Sequence, residues 1–328
     1  SSDLFVSALR KHVMVDLAGE MRQDYETNVK PTYTKNNGEE PGTPRDVKKA
    51  MKPRTRYRMW SSLRYNAQEM VWASVQNGVE RALPEMIHLA KDAAETNPAG
   101  GSLRLDPDLK IPRYVSALDV HLMPGCFHTE HTKDDVAQGA VQVIGGEVFR
   151  GSFRHRKGNP GAVGDSIAHY LKLKHPDFDP KRILDLGCNT GKNLFPYLDV
   201  YPDAEAHGVD VGAPLLRYGH AVASHDGLPV HFSQQNAEHL NFEDNSFDIV
   251  NSWGAIEFYG RPKYWKVFLL EMLRISKEYV NITFNDISPW LKDNQEYIQE
   301  YNTFFNEIEN NFSNFNVKIE KISERHYK

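Results

Sequence analysis

Arg182-Ile183-Leu184-Asp185-Leu186-Gly187-Cys188-Asn189-Thr190-Gly191-Lys192-Asn193 decides how the rest of this 328-residue chain is read. Its apolar opening, Ile183-Leu184, runs into Asp185 and Gly187, with Gly191 four residues later. That order predicts a buried strand ending in a tight glycine turn that opens a helix. Glycine lets the backbone approach a ligand closely and take dihedrals that a Cβ forbids. The following helix is expected to offer unpaired N–H groups at its start. Such a turn fits dinucleotide, phosphate and nucleoside sites alike, so the downstream sequence has to choose among them.

The same grammar then repeats. Ala206-His207-Gly208-Val209-Asp210-Val211 reads as a second strand ending in an acid placed to accept two hydrogen bonds from a ribose diol. Val230-His231-Phe232-Ser233-Gln234 is a third short strand, followed by a loop through Gln235-Asn236-Ala237-Glu238. Phe247-Asp248-Ile249-Val250-Asn251-Ser252-Trp253 gives a fourth strand with a polar exit. Helix-length segments near 191–200 and 213–226 separate them. Strand and helix alternating at this spacing predict an α/β fold, a doubly wound, mostly parallel sheet with ligand loops at the carboxyl ends of its strands.

On these motifs residues 165–285 resemble the class I S-adenosylmethionine (SAM)-dependent methyltransferases, in the broad group that includes the ubiquinone and menaquinone C-methyltransferases. The resemblance implies a Rossmann-like fold with SAM as cofactor. Asp185 to Gly191 matches the family's first motif, D-x-G-x-G-x-G, with Asn189 in place of the middle glycine; Asn is the non-glycine residue most at ease with positive φ. Asp210 matches the ribose-binding acid, and Asn236-Ala237-Glu238 the loop that brackets adenine. Phe247-Asp248-Ile249-Val250 matches the strand forming the floor below the methyl group. The implied cofactor-binding set is therefore Asp185, Gly187, Cys188, Asn189, Gly191, Asp210, Val211, Asn236, Ala237, Glu238 and Ser252. A dehydrogenase is the natural competitor, but its fingerprint needs G-x-G-x-x-G to set a pyrophosphate on a helix. Here the spacing is G-x-x-x-G, and SAM carries no phosphate.

Composition sets outer limits. The chain is 40% hydrophobic and 25% charged, ordinary for a soluble globular protein. No apolar run reaches membrane-span length, and the amino terminus does not read as a secretory signal. Two cysteines, Cys126 and Cys188, exclude a disulfide framework and suit a reducing cytoplasm. A net charge of −5 disfavours bulk binding of nucleic acid.

Residues 1–110 are read as a helical cap or substrate region. Leu4, Phe5, Ala8, Leu9, Val13, Leu17 and Met21 follow a helical stripe; residues 28–44 are expected to form a mobile loop. Helices are expected over 56–77 and 83–95, with Pro84 in the first turn of the latter. The basic stretch 45–64 reads either as a solvated helix entry or as an anion site. Its neighbouring aromatics, Tyr57, Trp60, Tyr65 and Trp72, read as core first and as a substrate wall second.

Residues 111–164 are expected to hold a strand, Tyr114 to Leu122, then a glycine-rich lid or linker through Gly145-Gly146 and 150–164. Cys126, His128, Glu130 and His131 stand close in sequence but lack metal-ligand spacing, so no metal is assigned. Residues 165–328 form the expected SAM-binding domain, continuing through a helix near 262–276, a strand over 279–284, a helix near 289–311 and a strand over 317–322. Trp253, Glu257 and Tyr259 are expected to face the acceptor, with Glu257 and His239 as candidate bases. The expected function is methyl transfer to a small-molecule acceptor; a homodimer is compatible. The alternatives are a catalytically silent SAM-binding protein or an RNA-directed enzyme using residues 45–64.

Overall fold

The computed structural model describes residues 2–117, 119–151, 162–256, 261–283 and 295–311. Six strands form one sheet: β1 (Ser102–Arg104), β2 (Arg182–Leu186), β3 (Glu205–Asp210), β4 (Val230–Gln234), β5 (Phe247–Ser252) and β6 (Ser276–Ile282). Their order is β1-β4-β3-β2-β5-β6, and every pairing is parallel. From β2 the chain steps outward to β3 and β4, then returns to the other side of β2 for β5 and β6. That reversal opens a crevice at the carboxyl ends of the central strands.

The sheet is covered on both faces, which is why β2 and β5 read as near-continuous apolar runs. Helices Val163–Lys174, Phe195–Val200 and Ala213–Asp226 bury Ile167, Leu171, Phe195, Leu198 and Leu216 against Ile183, Ala206, Val230 and Ile249. On the opposite face helices Pro262–Ile275 and Gln295–Asn311 bring Trp265, Phe268, Met272 and Phe304 onto Leu184, Leu186, Val209 and Val250. Neighbouring residues of β2 thus serve different cores, as the period of two requires.

Five expectations change. The three-residue β1 is too short for an alternation signal and was not anticipated; Gly101 precedes it because a Cβ there would fall 2.2 Å from the Val230 carbonyl oxygen. Residues 28–44 are not a loop throughout. Helix Lys30–Asn37 continues the amino-terminal helical run, and Thr32, Thr34 and Asn37 bond back to carbonyls four residues earlier. Helix Pro44–Met51 follows, with Thr43 capping the Asp46 N–H.

The two helices expected over 56–95 are one, Thr55–Thr96, with Pro84 in its interior. Buried residues stand on both sides of that interruption, Ala67, Val71, Trp72, Val75 and Val79 before it and Ala90 after it, so tertiary burial holds the helix together there. Tyr114 to Leu122 is no strand: Arg113–Ser116 is a helical turn after Pro112, and Val120–Leu122 a 3₁₀ turn with His121 at φ 57°. Gly145-Gly146 is not a linker but lies inside helix Ala137–Arg150. The Trp72 indole occupies the space of a Gly145 Cβ, 2.6 Å away. Of the expected lid, residues 152–161 lie outside the described residues, as does the expected strand over 317–322.

Candidate active site

β2 delivers Asp185 to the carboxyl edge between Gly208 of β3 and Asn251 of β5. The chain then turns at Gly187 (φ 69°), and the N–H groups of Gly187 and Cys188 both donate to the Val209 carbonyl at 2.8 and 3.0 Å. Asn189 takes the left-handed region at φ 55°. Its N–H donates to Asp210 Oδ2 at 2.9 Å, and its side-chain Oδ1 accepts from the Thr190 N–H at 2.8 Å. Gly191 (φ 84°) donates to the Cys188 carbonyl at 2.9 Å; a Cβ on it would lie 2.6 Å from Phe195 and 2.9 Å from Phe232.

The helix begins only at Phe195. This corrects the expected helix start with free donors: the Phe195 and Tyr197 N–H groups donate to the Gly191 and Leu194 carbonyls, Pro196 has none, and all N–H groups from Gly187 to Gly191 are engaged within the turn and β3. The turn has no row of donors to give a phosphate.

β3 ends in Asp210, whose Oδ1 accepts from the Gly212 N–H at 2.9 Å. Each oxygen takes a backbone donor, Oδ1 from Gly212 and Oδ2 from Asn189, and lone pairs remain for a diol. Gly212 is also where the 119–131 loop arrives, since a Cβ there would stand 2.6 Å from the Phe127 carbonyl oxygen. Beyond β4, the Gln235 N–H donates to the Asp210 carbonyl, and Gln234 Nε2 donates to that of Val211 at 2.9 Å. Asn236 closes a small turn: its Oδ1 accepts from the Glu238 N–H at 3.0 Å, and its Nδ2 donates to Glu238 Oε2. Ser252 Oγ donates to the Leu186 carbonyl at 3.1 Å, tying β5 to β2.

Two polar features of the crevice escaped the sequence reading. Asn251 Oδ1 accepts from the Tyr197 hydroxyl at 3.0 Å and from Asn281 Nδ2 at 2.9 Å, a bridge joining helix Phe195–Val200, β5 and β6. Thr190 Oγ1 and Asp185 Oδ1 are buried without a hydrogen-bond partner among the described residues. Only the polar exit of β5 hinted at the first, and the second needs coordinates.

Asp185 is 1% exposed, and no cation pairs with it among the described residues. Burial, then the nearby Asp210 charge, hold its carboxyl well above the usual carboxylate range. Burial also raises Asp210, opposed by the N–H groups of Gly212, Asn189 and Val211. Burial and both carboxylates push the Cys188 thiol well up, so it is an inert packing group. Two acids with unspent accepting capacity and no counter-charge make a site suited to a cation that also carries hydroxyls.

Other expected residues fall less centrally. Trp253 is half-buried, packed against the core cluster of Ile183 and Tyr197. His239 is exposed near Glu271, whose carboxylate is engaged by Arg274 and the Leu240 N–H. Glu257 and Tyr259 lie outside the described residues. No group of three His, Cys, Asp or Glu side chains able to hold a metal occurs among the described residues. Nor is any described helix long and apolar enough to cross a membrane.

Residues 183–279 match the methyltransferase domain family. A demethylmenaquinone methyltransferase of Thermus thermophilus is 39% identical over 71 residues, 22% of this chain and 32% of that protein. A methyltransferase of Aspergillus campestris is 33% identical over 79 residues, covering 24% of this chain and 23% of the other. Among solved structures, phosphoethanolamine N-methyltransferase 2 of Haemonchus contortus, in complex with S-adenosylhomocysteine, is 23% identical over 44% of this chain and 34% of its own, at a TM-score of 0.32. The matched segments span about a third or less of these two curated relatives.

Proposed function

We infer, from a segment over residues 183–279 that is a class I SAM-dependent methyltransferase domain, that the whole chain binds SAM and transfers its methyl group to a small-molecule acceptor. The carrying observation is the buried, uncompensated Asp185 beside an Asp210 whose two oxygens each retain accepting capacity. An adenosyl sulfonium fits both: it brings positive charge and a vicinal diol, and it makes no demand on the fully engaged N–H groups of the glycine turn.

In this reading Asp210 holds the ribose hydroxyls and Asp185 balances the cationic end of the cofactor. The backbone of Gly187, Cys188, Asn189 and Gly191 forms the wall against which the cofactor lies. Val211 and the Asn236-Ala237-Glu238 turn flank the base, while Ser252 fixes β5 against β2. When bound, SAM supplies an activated methyl carbon: the acceptor's lone pair forms the new bond as the carbon–sulfur pair departs to sulfur, leaving S-adenosylhomocysteine. The protein's part is then alignment and exclusion of water, which supply much of the rate in such a displacement. Trp253, Glu257 and Tyr259 are assigned to the acceptor side. His239, expected as a base, is exposed, and an imidazole open to solvent is poorly placed to take a proton from an acceptor shielded from water.

Calorimetric titration with SAM, followed by radiolabelled-methyl transfer into metabolite pools, tests the proposal. Saturable binding that Asp210→Ala weakens supports it. Absence of binding heat overturns the cofactor assignment, and binding without transfer to any small molecule overturns the acceptor class.

A further inference from the structure

We propose that the outer face of the helical arm, centred on Pro44–Met51 and the start of Thr55–Thr96, binds single-stranded RNA through its phosphate backbone. The proposal stands independently of methyl transfer. Eight Lys and Arg residues fall between positions 45 and 64, against one acid, Asp46, in a chain whose net charge is −5. Asp46 is occupied with the helix cap at Thr43.

The folded geometry sorts these charges. Arg45, Lys48, Lys49 and Lys52 recur at i, i+3, i+4 and i+7, so they share one helical stripe, and all four are exposed. The opposite stripe, Val47, Ala50 and Met51, is turned inward onto Met21, Val29 and Trp60. This helix therefore has no apolar residue left to insert into a bilayer, which favours a hydrated polyanion over a lipid surface. At the start of the long helix Arg54 is paired with Asp24 at 2.8 Å and Arg56 with Glu20 at 3.7 Å, and Arg58 is a further exposed cation. Two turns along the same side Tyr65 stands 54% exposed, a π-surface for an unstacked base. Cations beside an open aromatic ring suit a single strand, and RNA is the nucleic acid whose loops and ends present one. At 1.5 Å per residue, Arg56 lies about 24 Å from Trp72, where the same helix meets the rest of the fold.

Fluorescence anisotropy of a labelled 15-nucleotide oligouridine tests this in the full chain. Four phosphate contacts at about 0.7 counterions each predict affinity falling about 50-fold between 50 and 200 mM salt. The triple variant Arg45→Gln, Lys49→Gln, Lys52→Gln should flatten that dependence to a slope of about −0.7 while leaving SAM binding and helical circular dichroism unchanged. Tyr65→Ala should weaken binding about tenfold at an unchanged slope. No binding at 50 mM salt, wild-type affinity in the triple variant, or preference for phosphatidylserine vesicles over the oligouridine overturns the proposal. Equal affinity for duplex DNA with no effect of Tyr65→Ala overturns the single-strand assignment.

Discussion

The glycine turn and the long arm helix satisfy their polar groups in opposite ways. Between Gly187 and Gly191 the backbone amides are bound by loop, side-chain and β3 partners, and three residues take positive φ. Along Thr55–Thr96 the backbone repeats one conformation for 42 residues, and its position is set by what its side chains bury. A site built on unusual dihedrals is sensitive to single residues, whereas a helix set by burial is sensitive to its largest contacts.

The largest expected effect is on the arm. Trp72→Ala removes an indole that fills the notch at Gly145 and donates to the His121 carbonyl at 2.9 Å, so unfolding free energy should fall by about 3–5 kcal/mol. If melting shows no such loss, the arm is not held by that contact. Next comes the turn. Gly191→Val combines positive-φ strain with overlap against Phe195 and Phe232, and a loss of about 3 kcal/mol with undetectable SAM binding is expected in denaturation and calorimetry.

Asp210→Ala should keep the fold and cost about 1.5–3 kcal/mol of SAM affinity, the value of hydrogen bonds to a charged acceptor. Undiminished affinity would break the assignment of the ribose.

The gentlest probe is pH. Asp185 titrates above the ordinary carboxylate range in the fold, so its contribution to stability is present when protonated and fades as pH rises through that raised value. A cationic ligand favours the ionised form. SAM binding should therefore tighten with pH across that window, by at most about tenfold per unit, with proton release visible as buffer-dependent heats. Asp185→Asn should remove the dependence.

This contrast also explains what could be read from residues alone. The places of Asp185, Gly187, Asp210 and Asn236 at or just past strand ends were legible because the period changes there and backbone geometry restricts the choice of residue. The sheet followed from the same spacing. Gly145-Gly146 looked like a linker because the residue that demands a small neighbour, Trp72, is 73 positions away in sequence. Pro84 misled for a similar reason: propensity is local, and burial elsewhere along the helix overrode it. The polar run 30–37 buries nothing and is helical as the continuation of the helix before it, with Thr32, Thr34 and Asn37 bonding back to carbonyls four residues earlier. The apolar residues from Tyr114 to Leu122 signalled an extended strand but fold as a helical turn and a 3₁₀ turn.

The saturation of the glycine turn has a practical corollary for inhibitor chemistry. A binding edge whose amides are already spoken for gives no reward to a pyrophosphate or a triphosphate, so ATP and NADH analogues should be ignored at concentrations where nucleosides bearing an amine or sulfonium tail occupy the crevice. Discrimination here would come from withholding donors, and a compound series graded in tail charge would expose it directly.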